Sequence, residues 1–175
     1  MALSLYDVSA PVFRQYLDAL SGVLAKAEAH CASGALAEAD VIGARLFDDM
    51  QPFTFQVMQS VAHSAGAVAT LRGQTYPRAE GLETLAGCKA AVDAAVAYLD
   101  GVKPGDVTDD ADAEVKLATP RATLAFTARG YLLTFAYGNF FFHVTTAYDI
   151  LRSKGVPVGK RDFLGAAQIK AMTPA

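Results

Sequence analysis

Tryptophan is absent from the 175 residues, and there are only two cysteines and three histidines. Cys31 and Cys88 lie far apart, in no CxxC or zinc-ligand spacing. Both fall on helical segments, where a small apolar filler is the expected role. No apolar run reaches the roughly 18 residues that a membrane helix takes. No basic stretch followed by an apolar one opens the chain, so no secretory signal is expected and the cytoplasm is the expected compartment. Charge is scarce too: charged residues make up 19%, with a net charge of −3. Phosphate binding needs clustered Lys and Arg, so nucleic acid is not an expected partner. There is no glycine-rich phosphate loop, no GxSxG elbow, no HExxH helix and no Cys–His nucleophile pairing.

What remains is a chain that is 53% hydrophobic and arranged in helical periods. Its length suggests a single domain, 1–175, with a sizeable core. Helix one is expected from Ala10 to Cys31, capped by Ser9, with Phe13, Leu17, Leu20 and Leu24 as its stripe. Helix two is expected as one piece from Pro52 to Arg72, and helix three from Leu82 to Leu99. Val115, Leu117, Leu124 and Phe126 alternate around Thr119-Pro120-Arg121 and predict a short hairpin. Thr127 caps the predicted helix four, which runs to Lys154 and stops at Gly155 and Pro157. The fold class is therefore all-α: a four-helix bundle with long crossover connections and a small β-hairpin before the last helix.

Polar groups on apolar faces are the candidates for chemistry. At about 100° per residue, His143 shares its face with Leu132, Ala136, Ala147 and Ile150, and Asn139 sits one turn earlier. A buried Asn/His pair is either a hydrogen-bonded lock or a site lining a small pocket. His63 falls about 120° from the stripe centred on Val57, grouped with Gln56, Gln59 and Thr70. It is therefore expected in solvent. Asp48 and Asp49 precede helix two, where they either favour its N-terminus or reach the bundle mouth. Tyr148, one turn beyond His143 but about 140° round the axis, completes the candidate pocket set.

Three blocks, SLYDVSAPVF, ARLFDDMQPFTFQV and NFFFHVTTAYDILRSKGVPVGKRDFLG, occur in this order. With them the chain resembles a bacterial family of uncharacterised proteins carrying a domain of unknown function, similar to the DinB/YfiT-like metalloenzyme superfamily. The resemblance implies a DinB-type bundle, often a homodimer. It also implies a divalent metal held by one histidine on helix two and a His-x3-His pair on helix four, and in some members thiol-dependent transfer. Here the pattern is incomplete. If His143 is the second of the pair, the first position holds Asn139; if the first, the second holds Ala147. His143 and His63 are the candidate metal ligands. Three functions follow: a DinB-like bundle whose Asn/His pair is structural or lines a pocket; a metal-dependent transferase or hydrolase using His143 with Asp48 or Asp49; and a small-ligand-binding module. Whether the chain is an enzyme stays open.

Overall fold

Phe13, Leu17, Leu20, Val23, Leu24 and Ala27 form the buried stripe of α1 (Ala10–Ala32), and the three- and four-residue steps between them are what make this segment a helix with one inner face. The computed structural model describes residues 3–119, 121–167 and 169–171. A short helix α2 (Glu38–Ile42) follows, then α3 (Phe53–Ala62), α4 (Ala65–Leu71) and α5 (Leu85–Asp100). Strands β1 (Glu114–Ala118) and β2 (Thr123–Thr127) pair antiparallel, with Val115 opposite Phe126 and Leu117 opposite Leu124. The expected hairpin is present; Pro120 at its turn lies outside the described residues.

The last long helix is continuous but not uniform. It begins as α6 (Ala128–Gly130), widens into a π-helical stretch over Tyr131–Ala136, and returns to α-helix in α7 (Tyr137–Ser153). Thr127 caps it as expected, its hydroxyl accepting from the Gly130 N–H at 3.0 Å. Gly155, at φ +88°, ends it, and α8 (Lys160–Leu164) folds back on α1.

Packing is non-sequential. α1 lies against α5, and α3 lies against α7, so the first helix meets the third and the second meets the fourth. Phe13, Phe53 and Phe140 are fully buried where these pairs converge, and the Phe13 and Phe140 rings meet edge-on at 4.9 Å. Among the described residues no helix is long and apolar enough to cross a membrane.

Two expectations are corrected. Ser9 does not cap α1 with its side chain; its hydroxyl donates to the Tyr6 carbonyl instead. Helix two is not one piece. It breaks at His63–Ser64, where Ser64 leaves helical geometry at φ −117°, ψ −82°. The physical reason lies in its buried hydroxyls. Ser60 donates to the Gln56 carbonyl at 2.8 Å, and Ser64 donates to the Ser60 carbonyl at 2.6 Å and the Val61 carbonyl at 3.2 Å. Such back-bonding competes with the helical ladder and bends it.

Candidate functional site

The break in helix two changes where His63 points. As the residue that closes α3, with φ −89° and ψ 7°, it turns out of the helical progression. Its ring lies parallel to that of His143 within 7°, with centroids 5.8 Å apart. The expectation that His63 is solvated is therefore overturned: it is only partly exposed, and it packs edge-on against Phe135 at 5.6 Å. Phe55 and Phe142 meet His143 edge-on at 5.9 and 5.2 Å.

Gln56 sets the tautomer of His143. It is buried, at 2% exposure, and its Nε2 donates to the Gln51 carbonyl at 2.9 Å, which fixes the amide's orientation. Its Oε1 then faces His143 Nδ1 at 2.8 Å, and a carbonyl oxygen only accepts. His143 is therefore the Nδ1–H tautomer, and its Nε2 carries a lone pair. No polar side-chain atom sealed from solvent among the described residues lacks a partner. The unpaired ring nitrogens of His63 and His143 thus reach accessible space.

Both imidazoles are held neutral. Burial pushes His63 down from 6.5 to about 4, helped by the proximity of His143, and burial also lowers His143. Neutral imidazoles accept hydrogen bonds, act as bases and ligate metals.

His63 also lines a cavity of about 620 Å³ between the α3–α4 junction, the 74–79 loop, β1 and the π-helical stretch. Its apolar wall comes from Phe55, Met58, Tyr76, Tyr131 and Phe135. Tyr131 and Phe135 both stand on the π-helical stretch, their rings 5.9 Å apart and tilted by 22°. Wide turns of this kind shift the face that side chains present and recur at functional sites. Burial raises the Tyr131 and Tyr76 phenols above their ordinary value, so both are uncharged at neutral pH.

The remaining candidates are placed elsewhere. Asn139 serves the helix, its Nδ2 donating to the Phe135 carbonyl at 2.8 Å, where the π-helical stretch ends. Asp48 and Asp49 are exposed in the turn before α3, and neither lines the cavity. Tyr148 packs edge-on against Phe163 of α8. Gln56, which the helical wheel groups with the polar, solvent-facing side of helix two, is the residue that orients His143.

The divalent metal that the resemblance implies can be tested against these donors. Two imidazoles are within reach of each other. At the third position, Asn139, the amide is tied to the backbone, and among the described residues no three His, Cys, Asp or Glu side chains are grouped to hold an ion. A first-row metal centre normally takes three protein ligands. The residues present do not fit it.

Residues 5–164 match the family described as "Domain of unknown function (DUF1993)". Among solved structures, the fold is similar to the crystal structure of a DinB family member protein from Shewanella denitrificans, with a TM-score of 0.83 and 31% identity over 96% of each chain. No curated protein matches the chain.

Proposed function

The chain belongs to the DUF1993 family and its bundle is of the DinB kind, and from that premise we propose that it is a small-molecule-binding protein whose site is the cavity walled by His63. One observation carries this. Two neutral imidazoles stand together, one facing a cavity of about 620 Å³ and the other oriented by Gln56 so that a lone pair stays free. A cavity of this size, mainly apolar with a few directed polar groups, is what drug-sized and metabolite-sized ligands occupy. Asn139 and His143 each make a hydrogen bond that suits a structural lock, to the Phe135 carbonyl and to Gln56, whereas among the described residues His63 makes no side-chain hydrogen bond and is left for a ligand.

The polar contribution is hydrogen-bond acceptance. His63 offers a ligand donor an uncharged nitrogen, and His143 is a base whose tautomer is already selected. No step requires an ion held by three protein ligands. A homodimer and a cytoplasmic location, both expected from the sequence, are part of the same proposal.

The test is a fragment titration of protein carrying 15N-labelled histidine, read by long-range 1H–15N correlation. Fragments that fill the cavity are expected to shift the His63 ring nitrogens and raise the melting temperature, as a ligand selective for the folded state must. Both effects should vanish in His63→Ala. A library that binds elsewhere, or leaves the His63 resonances in place, overturns the proposal.

A further inference from the structure

The cavity's lining is one-sided in charge. Among the described residues it contains no Asp, Glu or Lys, and its one permanently charged residue is Arg78. Arg78 is exposed, so its charge stands at the opening. Its side chain is also poorly partnered. Among the described residues no carboxylate lies within 4.0 Å of it. Its Nε meets only the Met58 Sδ, at 3.2 Å, and a thioether is a weak acceptor. Arg78, Met58 and Phe55 also border an adjoining cavity of about 410 Å³, where Glu83 lies on the lining without pairing to the guanidinium. The fork of Nη donors is left for something outside the chain.

Resting on the reading of this cavity as a ligand site, we propose that its ligand is an amphiphilic monocarboxylate. An apolar, preferably planar body lies against Phe55, Tyr76 and Phe135, and the carboxylate sits on Arg78 at the rim. A guanidinium matches a carboxylate with two parallel N–H···O bonds, a geometry that a lysine ammonium does not offer. The inner wall supports the same orientation. His63 and the two tyrosines are uncharged at neutral pH, so nothing inside competes with Arg78 for an anion. The aromatic rings favour the apolar body.

Three probes with one naphthylmethyl body separate the terms: 2-naphthylacetate, its neutral amide and 2-naphthylmethylamine, titrated into the full chain at low salt and followed by NMR of the Met58 methyl and the backbone amides of Gln74, Thr75, Tyr76, Arg78 and Ala79. The acid is expected to bind about tenfold more tightly than the amide, with the amine weakest. Arg78→Gln should erase the acid's advantage and leave the amide within about twofold of its wild-type affinity. Arg78 is exposed, so this variant is expected to fold, and its melting temperature checks that. If acid and amide bind the cavity equally, or the preference survives Arg78→Gln, the carboxylate assignment falls while the cavity remains a ligand site. If none of the three perturbs the cavity, the carboxylate assignment falls, and the reading of the cavity as a ligand site is decided by the fragment titration of labelled histidine.

Discussion

His63 and His143 come from different helices, yet their rings lie parallel within 7° and 5.8 Å apart. Partial burial makes a proton costly on both, and for His63 the proximity of His143 adds to that cost. The consequence for stability has a definite sign. His63 takes up a proton at its ordinary value of 6.5 when unfolded but only at about 4 when folded. Between those values the unfolded chain binds more protons, so stability falls as pH falls through that window and levels off below it. The loss is on the order of 3 kcal/mol from His63, and His143 adds to it in the same direction. Urea denaturation at half-unit steps from pH 7.5 to 4 should show this slope, and His63→Gln should flatten it. An equal slope in both proteins would mean that His63 is not held neutral.

Gln56 is the hinge of the site's chemistry. Gln56→Leu removes the acceptor of the His143 Nδ1–H and the donor to the Gln51 carbonyl, and is expected to cost about 1–3 kcal/mol. Gln56→Glu tests the electrostatics separately. A carboxylate against Nδ1 favours imidazolium, so the His143 pKa, lowered in the native protein, should rise above its ordinary value. An NMR pH titration of the His143 ring reads this directly. A value unchanged by the carboxylate would place the Gln56–His143 bond in error.

The bundle was legible because its evidence is periodic: Phe13 to Leu24 in α1 and Val115 to Phe126 in the hairpin each repeat with the spacing of their own element. The site was less legible, though its signal was present. Gln56, Gln59, His63 and Thr70 fall together on a helical wheel, and that shared polar face reads as solvent. In the fold, Gln56 reaches His143 and the other three line the cavity. A wheel assumes an unbroken helix, and the break at Ser64 depends on buried serine hydroxyls whose burial only the packed structure reveals. The π-helical turns that present Tyr131 and Phe135 leave no mark in periodicity either. Periodicity puts the polar Asn139 on an inner face, but its partner, the Phe135 carbonyl, belongs to those same turns.

Gly87 offers a test of the backbone that leads from the cavity loop into α5. A Cβ at this position would stand 1.7 Å from the Gly81 carbonyl oxygen, and that neighbour is backbone, so it cannot yield by a rotamer change. Thr84, between them, caps α5 by accepting from the Gly87 N–H at 3.0 Å. Gly87→Ala must push the 81–84 turn outward and is expected to cost about 1–3 kcal/mol. Thermal unfolding measures the loss. A variant as stable as the native protein would show that the turn does not approach α5 so closely.

The incomplete metal pattern gives the last prediction. Asn139 stands one turn before His143 on the same helix, and its amide is tied to the Phe135 carbonyl. Asn139→His exchanges that bond for a third imidazole at the i−4 position of a face that already holds His143 with its Nδ1–H engaged by Gln56, an arrangement that orients a ligating histidine. The exchange is expected to cost about 1 kcal/mol of stability without metal and to raise zinc affinity by at least about tenfold, because three protein ligands meet what the ion requires. Calorimetric titration of both proteins with zinc, after chelator treatment and exchange into metal-free buffer, measures the difference. Zinc bound by the native protein as tightly as by the variant, at one ion per chain, would mean that two imidazoles suffice here, and the cavity would then have to be read as the substrate side of a metal centre.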